Sequence, residues 1–485
     1  MVYKKALICI LVFVFFLRLP SLFEPFTYGD EGIYLTLGQA MRKGVVLYRE
    51  IHDNKPPLLY LLAALTGSFS YFRLLLFLWS LLTIYLFFRL TQWLFPQNKP
   101  AIIISTSFFA VLISIHAFEG NVANAENFML LPTIAGFLLI LKNLKSKKSL
   151  LFFLSGIFFS LAALFKIPAA FDFLAALVFI FLFSFEEKRY ACLAGRQAIR
   201  NILYAILGFS FPFLVTFIYF FFQNALNQYL VAAFFQNIPY LSSWASKKSQ
   251  TLGLPLPLLS RTLLVALTTL VLFVWRKRTS SAVKLILLWF SFSLFAALLS
   301  SRPYPHYLLQ VIPSLALSFG LIFRKSKEKI IPLFLVFIFS FSFLVFNFWR
   351  YPNFSYYLNF YQFALKMKSK NEYFSYFGSQ AKVVYQVANY IQTHTYPQEA
   401  IFIWGTQPSI YALSRRLPVG RYTVSYHIVD FNGYQETMEA LKEKKPSLVI
   451  KIKEEKRRFP DFEGFLRNYY LKTETIEGIE IFRRT

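Results

Sequence analysis

Long apolar runs alternate with short polar segments from the N-terminus to about residue 349, and this alternation predicts the architecture. Runs near 6–22, 73–91, 101–118, 128–141, 150–165, 168–185, 202–222, 258–275, 284–300, 307–323 and 330–349 are rich in Phe, Leu and Ile and almost free of charge. A helix of about 20 apolar residues crosses the hydrocarbon layer, so eleven transmembrane helices are expected. Residues 58–71 are apolar but too short to cross, and predict a helix at the interface or packed among the spans. Gly32–Met41 predicts a short helix running along the membrane surface. The first polar loop is therefore long and partly helical.

After about residue 350 the apolar runs shrink to strand length and most of the remaining acids appear. Ala381–Gln392 and Tyr434–Lys445 have helical patterns. Ala400–Trp404 and Ser447–Ile452 read as strands, and Leu471–Phe482 as a strand pair. The expected organisation is a polytopic α-helical membrane domain over 1–349 and a small extracytoplasmic α/β domain over 350–485. About 110 ordered residues suffice for such a domain to form its own core.

Composition agrees with a membrane chain: 56% of the 485 residues are hydrophobic, 20% are aromatic and only 15% are charged. The net charge of +27 does not point to nucleic acid, because the basic residues fall in short clusters between apolar runs. With Lys4 and Lys5 inside, the clusters at 142–148, 188–200, 276–284 and 324–329 all fall on the same side. That is the positive-inside pattern. The N-terminus is expected to be cytoplasmic, the C-terminal domain extracytoplasmic, and the location the plasma (inner) membrane. No Ala-x-Ala-like site follows the first run, which predicts an uncleaved anchor. Cys9 and Cys192 lie in an apolar run and a basic loop, so a structural disulfide or thiolate metal site is not expected.

The acids are few and gathered. None occurs from Lys188 through Lys327, while the first outward loop holds Glu24, Asp30, Glu31, Glu50 and Asp53, and the next holds Glu119 and Glu126. Carboxylates are costly near a bilayer, so their concentration on one side marks a functional end. Asp30, with Glu31 as the next candidate, can accept a hydroxyl proton, although an acid before a helix is also a common N-cap. Lys55 lies between Asp53 and Pro56-Pro57, which stiffen the segment. It can hold a phosphate at headgroup depth or simply snorkel. Glu126 can position an acceptor or bind a divalent cation. Arg302 offers a planar fork for phosphate oxygens, and His306 can donate or ligate a metal. His116 is another possible ligand, Lys166 another outward cation, and Asp172 the main acid within a span. There is no Gly-rich phosphate loop, Ser-His-Asp spacing or HExxH motif.

Tyr28-Gly-Asp-Glu-Gly-Ile-Tyr34, Asp53-Asn-Lys-Pro-Pro-Leu-Leu-Tyr60 and Arg302-Pro-Tyr-Pro-His-Tyr-Leu-Leu-Gln310, in that order, resemble the bacterial dolichyl-phosphate-mannose–protein mannosyltransferase-like family. Its members have the C-type glycosyltransferase fold and include the aminoarabinose transferases. The tail is similar to outer domains of some members through Ile403-Trp-Gly405, Pro408-x-x-Tyr411 and Arg415–Arg421. The resemblance implies transfer, with inversion, of a sugar from a polyprenyl-phosphate donor to an acceptor hydroxyl outside the membrane. Asp30 would be the base, and Lys55 and Arg302 phosphate contacts. Glu31, Asp53, Glu126 and His306, with Tyr307 in the same motif, would be supporting catalytic or substrate-binding residues.

The resemblance leaves the metal open, because family members differ in their use of a divalent metal ion. Implied partners are the polyprenyl-phosphate-linked sugar, a lipid, glycan or protein acceptor, and membrane lipids, with no nucleic acid. The rival class is a transporter or flippase of a lipid-linked sugar, which predicts charged or broken helices near the bilayer midplane.

Overall fold

All eleven apolar runs fold as helix, as a chain in hydrocarbon requires, since backbone groups there can find partners only within the segment. The computed structural model describes residues 2–146, 148–184, 191–238, 258–324 and 327–485. Lys147, Lys188, Arg189 and Lys325 of the basic clusters lie outside them. Among the described residues, six helices are long and apolar enough to cross a membrane: Tyr3–Leu22, Phe69–Leu94, Ala125–Leu144, Ile167–Ser184, Gly195–Phe222 and Glu328–Val345. The protein is a multi-pass membrane protein. The other five expected spans fall on shorter apolar helices: Lys99–Leu112, Ser149–Phe165, Arg261–Val274, Ser281–Ala297 and Ile312–Phe323.

The shortening has a structural reason. Lys99–Leu112 gives way to a 3₁₀ turn at His116–Phe118, Ser149–Phe165 stops at Lys166, and Ser281–Ala297 runs into the irregular segment that leads to Pro305–Gln310. Non-helical backbone at such depth is tolerated only where protein surrounds it. The helix ends are spent on building a polar chamber.

Packing between the helices relies on aromatic stacking and close approach. Phe87 and Phe109 stack at 3.9 Å, and Phe137 lies 4.0 Å from Trp289, both pairs fully or nearly fully buried. Ser149–Phe165 and Ala191–Phe222 cross at Gly156 and Gly208. A Cβ on Gly208 would fall 1.9 Å from the Phe153 carbonyl oxygen, and one on Gly156 2.0 Å from that of Ala205. Small residues let membrane helices approach this closely. An apolar groove of about 670 Å³ opens between four helices and is lined by Leu177, Leu182, Ile202, Val265, Leu270 and Phe292 among others.

The C-terminal segment forms a four-stranded sheet in the order β1-β2-β4-β3, from Phe402–Trp404, Leu448–Ile452, Tyr470–Ile476 and Ile479–Arg484. β1 pairs parallel to β2, and the other pairs are antiparallel. Alternate strand residues serve opposite faces. Ile403, Ile450 and Ile481 pack with Val384, Val387 and Tyr411, while Phe402, Trp404 and Val449 pack with Leu441, Phe462 and Leu466. The expected strands and helices here are all present, with boundaries shifted by a residue or two.

The helix expected over Gly32–Met41 in the first outward loop is present as Gly29–Arg42. It is sandwiched between Leu58–Thr66 and Ser409–Ser414, burying Ile33, Leu35 and Leu37 in a core shared with Ala412 and Val424. Gly32 and Gly38 permit the close approach: a Cβ on Gly32 would fall 2.6 Å from the Ser409 nitrogen and one on Gly38 2.5 Å from the Ala64 nitrogen. Gln39 donates to the Ala412 carbonyl at 3.0 Å and helps fix the C-terminal unit against the loop.

Candidate active site

Asp30 sits in the first turn of Gly29–Arg42, where the helix dipole favours a carboxylate. One turn on, the Tyr34 hydroxyl donates to Asp30 Oδ2 at 2.7 Å. The Lys55 ammonium lies 3.5 Å from the same oxygen and 5.0 Å above the Tyr34 ring. Burial opposes ionisation of Asp30, but Lys55, the Tyr34 hydroxyl and nearby His306 outweigh it and hold the carboxyl below its ordinary value. The side chain retains 34% of its exposure, so the carboxylate is not closed off.

Lys55 is fixed through its backbone. Its N–H donates to the Tyr60 hydroxyl at 3.1 Å, and its carbonyl accepts from the Tyr48 hydroxyl at 2.7 Å. Asp53 is buried and completes the brace, accepting from Tyr60 at 2.7 Å and from the Asn54 amide at 2.8 Å. His427, from the C-terminal unit, brings Nε2 to 3.7 Å from Asp53 Oδ1. Burial, with Lys55 close by, pushes the His427 imidazole below its ordinary value despite Asp53.

A second group faces the first. Glu119, in the left-handed region at φ 52°, pairs with His306 Nδ1, while His306 Nε2 lies 3.6 Å from Glu126. Glu126 also pairs with Lys166, whose ammonium sits 3.6 Å over the Tyr307 ring. Burial works against an imidazolium at His306, but Glu126 and Glu119 together raise its pKa above the ordinary value. The two groups form one electrostatic unit: His306 acts on Asp30, and both Lys55 and Asp30 act on Lys166. Three carboxylates (Asp30, Glu119, Glu126) meet three cations (Lys55, Lys166, His306).

Other candidates have different surroundings. Glu31 is fully buried and bound by Arg73 at 2.6 and 3.0 Å and by the Ala123 amide at 2.8 Å. Neither of its oxygens is open to a substrate. His116 stacks on Tyr356 at 4.2 Å and bonds Asn121 at 3.2 Å, so it braces the second outward loop. Asp172 accepts from Trp289 at 2.9 Å and Gln310 at 2.8 Å. Arg302 is half-buried and follows Ser301, which has φ 54° and accepts from Arg261 at 3.1 Å. It opens the same segment that carries His306, four residues on.

Among the described residues, no group of three or more His, Cys, Asp or Glu side chains is arranged to hold a metal ion. Glu119 and Glu126 both pair with His306, and Glu126 also with Lys166.

Sequence reasoning missed four residues here. Tyr34 was legible as the i+4 neighbour of Asp30 on a helix, and Arg73 as a lone cation at the edge of an apolar run. Tyr48 gave no signal because it reaches the Lys55 carbonyl through an irregular loop with no periodicity to announce it, and His427 because its contact with Asp53 is distant in sequence.

No protein-family model matches this sequence, and no curated protein does. Solved structures are similar. ArnT from Cupriavidus metallidurans bound to undecaprenyl phosphate aligns with a TM-score of 0.58 over 99% of this chain and 97% of that one, at 12% identity. The same protein in the apo state aligns with a TM-score of 0.54 at 12% identity, over the same shares. At identity this low the likeness shows a shared fold, across nearly the whole of both chains.

Proposed function

We propose that this chain is a membrane glycosyltransferase that moves a sugar from a polyprenyl-phosphate donor to an acceptor hydroxyl, with inversion. The observation that carries the reading is Asp30. It is an ionised, partly exposed carboxylate, oriented by Tyr34 and set 3.5 Å from a lysine whose backbone is held on both sides. Asp30 takes the proton as the acceptor oxygen bonds to C1, and the C1–O bond to phosphate breaks with its electron pair leaving on the phosphate. Lys55, with Arg302, stabilises that growing charge. A phosphate leaves without prior protonation, so no second carboxylic acid is needed. Glu31 then serves to hold Arg73 and the loop, and Asp53, Glu126, His306 and Tyr307 shape the chamber.

The fold shared with ArnT, solved with undecaprenyl phosphate, supports a polyprenyl-phosphate donor, and the apolar groove suits its hydrocarbon chain. In this reading there are eleven crossings, the N-terminus is cytoplasmic, the membrane is the plasma (inner) membrane, and residues 350–485 form an extracytoplasmic domain beside the membrane domain 1–349. Transport of a lipid-linked sugar is less well supported. The intramembrane acid Asp172 is engaged by Trp289 and Gln310. Incubation of purified protein with a panel of radiolabelled polyprenyl-phosphate sugars and candidate acceptors tests the proposal. Release of polyprenyl phosphate by the wild type and not by Asp30→Asn is expected; no release across the panel by either protein, with lipid-linked sugar flipped in vesicles, overturns it.

A further inference from the structure

The helix Asn353–Ala364 presents its two faces to very different surroundings. Tyr356, Asn359 and Phe360 are buried, and Tyr356 donates to Glu24, which in turn accepts from Asn121 at 2.9 Å. On the opposite side Phe354 is 80% exposed, and Leu358, Tyr361 and Leu365 are exposed beside it. The spacing 354, 358, 361, 365 repeats every three or four residues, which draws one continuous apolar stripe down the helix. A water-facing helix carries such a stripe inward. Here it points out.

Continuity with the membrane surface says what covers it. The helix begins eight residues after the span Glu328–Val345 ends. The Tyr361 hydroxyl reaches the Phe16 carbonyl of the span Tyr3–Leu22 at 3.2 Å, and Phe360 lies 5.5 Å from Phe23. Phe13, Phe16 and Phe23 are themselves exposed, as lipid-facing residues are. Trp349, at the approach to the helix, is exposed too and is the residue type enriched at membrane interfaces. The charge is one-sided: exposed Arg350, Lys366 and Lys370 flank the stripe, and the chain holds no acid from Lys329 through Asn371.

We propose that Asn353–Ala364 and its flanks lie in the headgroup layer of the bilayer, with Phe354, Leu358, Tyr361 and Leu365 among the lipid chains and the lysines on anionic headgroups. The occupant of this face is lipid. A surface helix with an apolar stripe and basic flanks binds in this way. Because the buried face reaches Glu24 and Asn121, lipid contact on one side holds the second outward loop on the other. The inference rests on the chain being a membrane protein and not on glycosyl transfer.

The full chain, carrying Cys9→Ser and Cys192→Ser, is labelled with a fluorophore at Leu358→Cys or, as an exposed control on the β3–β4 hairpin, Thr475→Cys, and placed in nanodiscs. With anionic nanodiscs containing brominated lipid, the label at 358 is expected to lose most of its emission and the label at 475 none. Aqueous iodide should quench in the reverse order. Phe354→Cys provides a second stripe position should the first variant fold poorly. Lys366→Glu/Lys370→Glu, or neutral nanodiscs, should weaken lipid quenching at 358. Equal iodide quenching at 358 and 475 overturns the proposal. So does protection from both quenchers with a doubled particle mass, which would mean a second copy covers the stripe. Lipid quenching that is the same in neutral and anionic nanodiscs overturns the anionic headgroup assignment.

Discussion

Lys55 Nζ lies 3.5 Å from Asp30 Oδ2 across 25 residues of sequence, and Tyr34 donates to that same oxygen at 2.7 Å. The lysine helps keep the aspartate ionised and, in the proposed reaction, sets positive charge against the negative charge that grows on the leaving phosphate. The pair sets the first prediction. Asp30→Asn keeps size but removes proton acceptance, and turnover should fall about 10²–10⁴-fold with the fold intact. In the wild type, activity should persist in acid below the ordinary aspartate value near ~3.9, since the folded value is depressed. Lys55→Met or Tyr34→Phe should move the acid limb to higher pH. The same linkage acts on stability: the contribution of ionised Asp30 is present above its unfolded-state value and is lost as pH falls through the lower folded value. A pH–rate profile unchanged in both variants would falsify the coupling.

Glu31 and Arg73 form a fully desolvated pair, 0% and 3% exposed at their side chains. Arg73→Met should leave a buried carboxylate without its partner and destabilise the protein by about 3–5 kcal/mol. Arg73→Met with Glu31→Gln should recover part of the loss, because the orphaned charge is gone. Thermal unfolding in detergent measures both. Equal losses in the single and double variants would mean that the packing of Arg73, and not its charge pair, is what matters.

At Gly32 the first outward loop packs directly against the C-terminal unit. A Cβ there would come 2.6 Å from the Ser409 amide nitrogen and 2.7 Å from its Oγ. Alanine gains at most about 1 kcal/mol in helix propensity, while overpacking against backbone costs about 1–3 kcal/mol. Gly32→Ala should therefore lower the melting temperature and expose residues 350–485 to protease. Gly29→Ala, whose Cβ meets nothing within 4 Å, is the control. Matching melts and digestion patterns for the two variants would show that Ser409 moves aside without cost.

Residues 350–485 should lie on the side opposite the N-terminus, as an odd number of crossings requires. The basic clusters are expected to orient the chain, and the short helix Leu58–Thr66 is left out of the proposed count because nine residues are too few to cross. A reporter fused after Phe482 should be active only outside the cytoplasm. Activity in the cytoplasm would show that one of the five shorter helices does not cross.

Most of the fold was legible because periodicity is a local property. Ile403, Ile450 and Ile481 alternate with residues of the opposite face, and the hydropathy runs mark helices directly. The placement of Gly29–Arg42 was not legible, because what covers its apolar face is Ala412 and Val424, far along the chain. The site divides in the same way. Asp30, Lys55 and His306 stood out as charge in an apolar chain, whereas the partners that fix them did not: Tyr48 reaches the Lys55 carbonyl through an irregular loop, and Glu119 reaches His306 across 187 residues. Glu31 stood next after Asp30 as a candidate base in sequence. A helix turns about 100° per residue, so adjacent side chains diverge, and Glu31 points to Arg73 while Asp30 points to Lys55.

The final prediction concerns Lys55 and Arg302 as contacts to one phosphate. Charge on that phosphate grows as the sugar leaves, so neutralising either cation should lower kcat more than it weakens donor affinity. Lys55→Met also releases Asp30 from its neighbour, and this second effect must be separated. Kinetics are therefore taken on the pH plateau well above the acid limb, where Asp30 is ionised in every variant. There, Lys55→Met and Arg302→Met should each reduce kcat at saturating polyprenyl-phosphate sugar, and the double variant should fall short of the product of the two, because residues sharing a partner couple. Strictly multiplicative losses would assign the two cations to separate tasks, and an unchanged kcat in both single variants would remove the phosphate site while leaving Asp30 as the base.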